Sequence, residues 1–403
     1  MKSAKSALAA LCLVVPFSTP VNAATAPACD NGARFSSWLS EFKQEAVAEG
    51  IPARVVQQSL AGIQYDPTVI KYDRGQAVFS QAFSQFAGRM VSGYRLKMGA
   101  QLIQKNAKTF QRIEREYGVP AAVLTSFWGL ETDFGANTGK MATIQSVATL
   151  AYDCRRPEMF REELKELLRI IARGDLSAQE MRGPWAGELG QFQFLPRYYL
   201  ELGVDYDGDG RVNLLKSTPD ALASAANLLR HFGWRAGEPW LEEVVVPADM
   251  DWHEADVTIT HPVSYWLKQG VKPRNGQLAG RGLEASLLLP MGRKGPAFLA
   301  YSNFQVYLQW NQSLIYSATA AYFASRLAGA PIMSQGRGDV ASLEYKEIFA
   351  LQKLLVARGF DVGEKIDGII GAQTREAVRQ VQMELGLPAD GYPDQNLLAK
   401  LRR

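Results

Sequence analysis

A carboxylic acid lies at the point where an apolar helical segment gives way to glycine. Residues 119–128 begin with Val119-Pro120 and continue with apolar side chains at helical spacing, which predicts a packed helix. Glu131 follows near the predicted C-terminus, where the helix dipole and apolar neighbours both disfavour a negative charge. Both effects raise a carboxyl pKa, as a general acid working near neutral pH requires. We predict this role for Glu131, against the alternative of a solvated glutamate at a helix end.

Two other carboxyl groups are candidate partners of Glu131. Asp133 is only two residues away, so on a helix it would point to a different side. Glu188 lies in the glycine-rich stretch 183–196, where the backbone can approach a ligand closely. Chemistry by Glu131 alone is the simpler interpretation.

A second motif has acidic residues at alternate positions of a loop. Its members are Asp205, Asp207 and Asp209, followed by Gly210 and by Arg211 at the seventh position. This spacing, with glycine at position six, follows the EF-hand calcium loop, whose oxygen ligands suit Ca²⁺. Position twelve is Lys216, which cannot be a ligand, so we expect Asp220 to complete the set. We predict a structural calcium site, against a metal-free turn of Asp and Gly.

Composition and motifs exclude several other functions. The formal net charge is +3 over 403 residues, with no basic cluster of the kind that binds nucleic acid. His231, His253 and His261 lack zinc-binding spacing, and there is neither a P-loop nor a dinucleotide-binding fingerprint. No stretch is long and apolar enough to predict a transmembrane helix.

The N-terminus resembles a secretory signal. Residues 1–23 contain two lysines, an apolar stretch and Val21-Asn22-Ala23, an A-x-A-like cleavage site, so we expect a periplasmic protein. Cys12 lies inside the apolar stretch without a lipidation pattern. Export would leave Cys29 and Cys154, which we predict form a disulfide, with two free thiols as the alternative.

The remaining pattern is mainly helical, with one interruption. Between residues 240 and 290, short aliphatic and β-branched stretches at 244–246, 257–260 and 287–289 predict strands. Residues 333–341 are polar and contain glycine, which predicts a linker. Residues 342–403 have two helical stripes and two Asp-Gly turns, at 367–368 and 390–391. The segment 367–374 resembles the signature of the small helical peptidoglycan-binding domain.

Four motifs in order resemble the B-type lytic murein transglycosylases, glycoside hydrolase family 103. They are residues 129–135, the loop 183–196, the acidic loop 205–213 and residues 310–313, and the likeness covers roughly residues 30–330. The resemblance implies a mainly α protein with a lysozyme-like helical core, a small β-containing insertion and a calcium loop. It further implies cleavage of the MurNAc–GlcNAc bond of peptidoglycan without water, with Glu131 as acid and then as base, and a 1,6-anhydro product.

The resemblance also implies residues that bind substrate. Gln193 matches a glutamine that bonds the substrate near the acid, Asn311 and Tyr316 match residues that touch sugar, and Trp310 stands where a relative has tyrosine. The alternative for Trp310 and Tyr316 is simple packing. The sequence departs from relatives at four positions that bear on subsite preference: Phe86, Met159, Glu188 and Leu228.

We therefore expect three parts after the signal peptide. They are a catalytic domain at 24–332, a linker at 333–341 and a three-helix peptidoglycan-binding domain at 342–403. The predicted partner is the glycan strand of peptidoglycan, the expected state is a monomer, and the binding domain would raise the local concentration of substrate. The alternatives are a hydrolytic muramidase and a wall-binding protein without catalysis.

Overall fold

The protein is mainly helical, as the sequence predicts. The computed structural model describes residues 31–75, 81–338, 340, 342–363 and 366–403. Among these residues no helix is both long and apolar enough to cross a membrane. The signal segment 1–23 and Cys29 lie outside the described residues.

In the described part of the chain, fourteen α-helices precede the C-terminal module. The first seven are α1 (Phe35–Ala48), α2 (Ala53–Ser59), α3 (Pro67–Arg74), α4 (Phe83–Met90), α5 (Gly93–Lys105), α6 (Ala107–Tyr117) and α7 (Ala121–Thr132). The next seven are α8 (Thr143–Tyr152), α9 (Pro157–Arg173), α10 (Pro196–Leu202), α11 (Thr218–His231), α12 (Val263–Lys268), α13 (Ser302–Trp310) and α14 (Leu314–Leu327). All of them except α12 contribute to one large apolar core.

Helix α7 lies at the centre of this core. Pro120 is its N-cap residue, in an extended conformation with φ −65° and ψ 149°. Every residue of α7 except Ala121 and Glu131 is buried, because α5, α6, α11 and α14 all contact it. Helices buried on all sides are apolar all round rather than amphipathic, and the sequence of α7 has this character. The half-buried Glu131 is the one ionisable residue of this apolar helix.

A small sheet forms the predicted β-containing insertion. Its strands are β3 (Leu241–Val245), β4 (His261–Pro262), β5 (Lys272–Pro273), β6 (Glu284–Leu288) and β7 (Ala297–Ala300), in the antiparallel order β4-β6-β7-β3-β5. A separate two-residue pair joins β1 (Met141–Ala142) to β2 (Arg182–Gly183). A second core beneath the larger sheet is built around Trp266, whose indole N–H donates to the Ala285 carbonyl at 2.7 Å.

One predicted strand of this insertion is wrong. Residues 257–260 form a turn rather than a strand. The Asp256 carboxylate accepts hydrogen bonds from the backbone N–H of Thr258 at 2.9 Å and from its hydroxyl at 2.6 Å. Such local side-chain bonds compete with a β ladder, and here they outweigh the β-branched composition. Strands β3 and β6 do contain most of the other two predicted stretches.

The C-terminal module has three helices, α15 (Tyr345–Ala357), α16 (Ala372–Glu384) and α17 (Gln395–Leu401), around its own apolar core. Two buried glutamines hold its Asp-Gly turns in the same way. Gln352 Oε1 accepts the Gly368 N–H at 2.8 Å, while its Nε2 donates to Asp367 at 3.2 Å. Gln382 repeats this pattern with Gly391 at 2.9 Å and Asp390 at 3.1 Å.

The predicted linker is held against the β insertion. The Ser334 N–H donates to the Glu243 carboxylate at 2.7 Å, and the Arg337 N–H donates to the Lys294 carbonyl at 2.7 Å. Gly336 has φ +78°, and a Cβ there would lie 2.2 Å from the Lys294 carbonyl oxygen. Only glycine permits this close approach.

We expect each glutamine to be essential to its turn. Gln352→Ala or Gln382→Ala should lower the unfolding free energy of the module by roughly 2–4 kcal/mol, because buried backbone groups lose their partners. Urea unfolding of the full chain measures this loss. The matched control is Gln380→Ala, since Gln380 is exposed on α16. Equal effects of the control and the buried variants would contradict the assignment.

Candidate active site

The two oxygens of Glu131 have different environments. Oε1 accepts the indole N–H of Trp310 at 2.8 Å and the phenol O–H of Tyr316. No described residue donates to Oε2. One oxygen is therefore fixed by two donors, and the other is left for a reacting group.

Burial raises the pKa of the Glu131 carboxyl above its ordinary value, and the hydrogen bonds from Tyr316 and Trp310 act in the opposite direction. Burial also raises the pKa of Tyr316 well above its ordinary value, and the neighbouring charge of Glu131 adds to this. Tyr316 therefore stays a hydrogen-bond donor at neutral pH. The environment favours a protonated Glu131 while stabilising its anion once the proton leaves.

The chain leaves α7 through three successive residues with positive φ. These are Asp133 at 49°, Phe134 at 63° and Gly135 at 86°. Positive φ is uncommon outside glycine, so this turn is a strained feature next to the acid. It is held by Arg95 on α5, which forms an ion pair with Asp133 Oδ1 at 2.6 Å. This ion pair gives Asp133 a structural role.

The glycine-rich loop 183–196 is fastened to the end of α7. The Thr132 hydroxyl donates to the Gln191 carbonyl at 2.6 Å and accepts the Gly135 N–H at 2.9 Å. Within the loop, Leu189 and Phe194 form an antiparallel bridge around a tight turn. This connection fixes the loop relative to Glu131.

Gln193 lies in that tight turn with φ 52°. Its Nε2 donates to the Gly190 carbonyl at 2.9 Å and to the Thr138 carbonyl at 3.4 Å. Its Oε1 has no donor in the described part of the chain. The amide is thus oriented by the backbone with one acceptor oxygen free.

Trp310 and Asn311 end helix α13. The Trp310 ring lies 4.4 Å from the Phe127 ring and 6.1 Å from that of Phe194, measured between centroids. Asn311 Oδ1 accepts the Ser313 N–H at 2.9 Å, which leaves its amide N–H groups free of described protein acceptors. The structure brings Trp310 and Tyr316 to Glu131 itself, a contact that neither predicted alternative included.

A second buried carboxyl belongs to Glu188. Burial raises its pKa to about 7, the charge of Glu131 adds to the increase, and Arg156 opposes it. Glu188 Oε2 is buried and has no hydrogen-bond partner among the described residues. Burial therefore favours the neutral form of Glu188 up to about neutral pH.

The other three departures from the family pattern lie in different settings. Phe86 and Leu228 are 5% and 4% exposed, so both belong to the core. Met159 is exposed on α9.

The acidic loop brings three predicted ligands together. One carboxylate oxygen each from Asp205, Asp207 and Asp209 lie within 4.8 Å of one another. The Asp205 oxygens also accept backbone N–H groups of Gly208 at 2.8 Å and Gly210 at 2.9 Å, which order the loop. Three clustered carboxylates repel one another, so these residues fit a divalent cation with hard oxygen ligands.

Asp220 and Arg211 are placed outside that group. Asp220 is fully buried, and its two oxygens accept the backbone N–H groups of Tyr206 at 2.8 Å and Asn213 at 2.9 Å. It therefore holds both ends of the loop from beneath. Arg211 is exposed and donates its backbone N–H to Asp209 at 2.9 Å.

The predicted disulfide is only partly within the described structure. Cys154 is disulfide-bonded. Its predicted partner Cys29 lies outside the described residues, so the pairing of the two stays a prediction.

We expect Glu188 to destabilise the protein at high pH. Its folded pKa is about 7, above the ordinary 4.5, so the folded state binds more protons and stability falls as pH rises through this window. The full effect, above about pH 8, is roughly 3 kcal/mol of unfolding free energy. Glu188→Gln should remove it.

Urea unfolding at about pH 4.5 and about pH 8 measures this difference. The variant should gain stability over the parent only at the higher pH. Glu158→Gln is the matched control, because Glu158 is exposed on α9. A Glu188→Gln protein that is less stable than the parent at about pH 8 contradicts the expectation.

Comparisons with known proteins agree with this architecture. Residues 34–325 match the family described as the transglycosylase SLT domain, and residues 344–401 match a putative peptidoglycan binding domain. Membrane-bound lytic murein transglycosylase B of Escherichia coli (strain K12) is 26% identical over 238 residues, which are 59% of this chain. The chain spans 64% of the length of that curated relative.

Solved structures show the same fold. SltB3 from Pseudomonas aeruginosa, in complex with NAG-anhNAM-pentapeptide, is 39% identical with a TM-score of 0.85, covering 92% of this chain and 100% of that chain. The Escherichia coli lytic transglycosylase Slt35 in complex with calcium is 24% identical with a TM-score of 0.62, covering 72% of this chain and 92% of that chain. Since the match at residues 34–325 covers more than half of its length, the chain belongs to the transglycosylase SLT domain family.

Proposed function

We propose that the protein is a lytic transglycosylase that cleaves the MurNAc–GlcNAc β-1,4 bond of peptidoglycan and forms 1,6-anhydro-MurNAc ends. The observation that carries this proposal is the Glu131 carboxyl, with Oε1 fixed by Trp310 and Tyr316 and with no donor to Oε2 among the described residues. The similarity to SltB3, which has been solved with NAG-anhNAM-pentapeptide, supports the choice of substrate and product.

In the first step Glu131 is a general acid. Burial favours the protonated form of its carboxyl, and the two donors on Oε1 leave Oε2 as the oxygen that carries the proton. Oε2 gives this proton to the glycosidic oxygen, the bond from C1 to that oxygen breaks, and the GlcNAc leaves as an alcohol. The donors on Oε1 stabilise the carboxylate that forms.

In the second step the same group is a base. The Glu131 carboxylate takes the proton of the C6 hydroxyl of the muramic acid, and O6 bonds to C1 to close the anhydro ring. Glu131 is again protonated, so the cycle needs neither water nor a second carboxylate. Asp133 is bound to Arg95, which agrees with a reaction by a single glutamate.

Two side chains are suited to hold the sugar. Gln193 presents a free acceptor oxygen, and Asn311 presents free donors beside the end of α13. We assign Trp310 and Tyr316 to the orientation of Glu131, because each donates directly to its Oε1.

We also propose how the chain is divided into a signal peptide, domains and a linker. A signal peptide at 1–23 would export a monomer to the periplasm, with a catalytic domain at 24–332, a linker at 333–341 and a peptidoglycan-binding domain at 342–403. The family matches at 34–325 and 344–401 support these bounds.

The test is mass spectrometry of muropeptides released from purified sacculi by residues 24–403. We expect products one water lighter than hydrolytic muropeptides and resistant to borohydride. Glu131→Gln should reduce release by at least roughly a hundredfold, because it cannot donate a proton, while sacculus binding is retained. Glu188→Gln is the matched control and should keep turning over sacculi.

Other outcomes would point to the alternatives. Products that borohydride reduces would make the protein a hydrolytic muramidase. Binding to sacculi without any release would leave a wall-binding protein.

We also propose that the acidic loop binds calcium. Asp205, Asp207 and Asp209 would supply carboxylate oxygens, as their convergence supports. Arg211 would supply its backbone carbonyl, as position seven does in such loops. Asp220 would contribute by holding the loop rather than by reaching the cation, since both of its oxygens bond backbone N–H groups. The role of the ion is structural.

Calcium should stabilise the fold. At a hundredfold excess over its dissociation constant, Ca²⁺ should raise the midpoint of thermal unfolding by roughly 5 °C relative to EGTA. Asp207→Asn should lose most of this shift, whereas Asp249→Asn, at an exposed acid outside the loop, should keep it. Equal shifts in both variants, or none in the parent, would rule out this site.

A further inference from the structure

The C-terminal module is docked on the β insertion by two buried arginines of α16. Arg375 donates from Nη1 to the Leu289 carbonyl at 3.1 Å and from Nη2 to the Pro290 carbonyl at 2.5 Å. Arg379 Nη2 forms an ion pair with Asp256 at 2.6 Å. Arg375 and Arg379 are 8% and 4% exposed. Burying a guanidinium is costly without partners, so these contacts define a specific interface.

A second set of contacts uses one of the Asp-Gly turns. Asp390 Oδ2 accepts the backbone N–H of Arg293 at 3.0 Å and its Nη1 at 3.1 Å. Beside this pair, a Cβ on Gly292 would lie 2.8 Å from the Cβ of Tyr392. The two surfaces are therefore in close contact at a fixed point.

The same interface reaches the first turn of α14. A small cavity of about 20 Å³ is lined by Leu314 and Ile315 from that turn and by Leu343, Ile348 and Tyr392 from the module. Leu314 and Ile315 therefore face the module across a small gap.

One residue separates this interface from the acid. Tyr316 follows Ile315 directly, and its O–H donates to Glu131 Oε1. Ser313 caps the helix by accepting the Tyr316 N–H at 3.3 Å. A displacement of the first turn of α14 would therefore move the phenol away from the carboxyl.

We propose that the docked module is a positioning element of the catalytic centre: Arg375 and Arg379 hold it against Leu314 and Ile315, and so hold Tyr316 on Glu131. This inference rests on the proposed lytic transglycosylase reaction. It gives the module a task in turnover in addition to binding the wall.

Undocking of the module should shift the pH dependence of activity in one direction. The hydrogen bond from Tyr316 lowers the pKa of Glu131 against the effect of burial, so loosening it raises that pKa. The acid step needs protonated Glu131, so the loss of activity at high pH should move to higher pH.

Several other polar or charged groups lie around Glu131, and the variants that undock the module do not replace any of them. Trp310 donates to it from α13, Glu188 approaches from the loop 183–196, and Arg95 from α5 is paired with Asp133. The buried Tyr307 phenol lies near Tyr316. A change in the profile therefore reports on Tyr316.

The experiment uses the full mature chain with Asp256→Lys and Arg293→Glu together. Both changes lie on the catalytic side of the interface and place like charges opposite Arg379 and Asp390. Small-angle scattering and limited proteolysis at 333–341 report the undocking. Initial rates on short soluble strands of GlcNAc and MurNAc are measured across pH.

We expect kcat to fall roughly tenfold, with KM little changed and the high-pH limb displaced upward. Tyr316→Phe should displace the limb in the same direction. Adding the charge reversals to Tyr316→Phe should lower kcat little further, because both act through one hydrogen bond. The matched control, Asp249→Lys with Arg281→Glu at exposed sites of the same insertion, should match the parent.

An undocked protein that keeps the parent's kcat and pH profile overturns the proposal, as does an unchanged limb in Tyr316→Phe. If the charge reversals prevent folding, Asp256→Lys with Arg379→Glu restores an ion pair, and recovery of kcat relative to Asp256→Lys alone supports it. Absence of anhydro products from the parent on the same strands refutes the proposed function instead, so the two failures are distinguishable.

Discussion

The pair of hydrogen bonds on Glu131 Oε1 is the interaction on which the rest of the site depends. The Glu131 carboxyl, at the end of an apolar and largely enclosed helix, has a raised pKa, which favours the protonated acid but makes its anion costly to form. Trp310 and Tyr316 counter this, because each donates to Oε1 and so stabilises the carboxylate. In the reaction that we propose, this balance of burial and donors lets one group perform both proton transfers.

The need to bury Glu131 and to bring donors to it explains much of the surrounding fold. Helix α7 must be buried on nearly every side to desolvate its one acid, and so α5, α6, α11 and α14 surround it. The turn that follows must then bring the loop 183–196 back to the acid, which it does through Thr132 and Gln191. The strain at Asp133 and Phe134 is retained because Arg95 and the packed loop hold both residues in place.

The sequence predicted the position of Glu131 at the end of a packed helix, the three converging aspartates and the module, since each is encoded in a short segment with its own local physics. It could not predict that Trp310 and Tyr316 meet Glu131, because they lie 179 and 185 residues away and no periodicity reports such a contact. The strand expected at 257–260 is wrong for the opposite reason: a single side chain, Asp256, outweighed a composition typical of strands.

The docked module changes how wall binding and cleavage are coupled. A flexible linker would raise the local concentration of substrate by an amount averaged over many orientations. Here Ser334 and Arg337 fix the linker to the β insertion, and Arg375 fixes the module itself. The orientation of one site relative to the other is then set in the folded protein, so the protein itself loses little orientational entropy when a strand engages both sites. The docked module cannot sample as large a volume as a module on a flexible linker, but it helps to preorganise the catalytic centre.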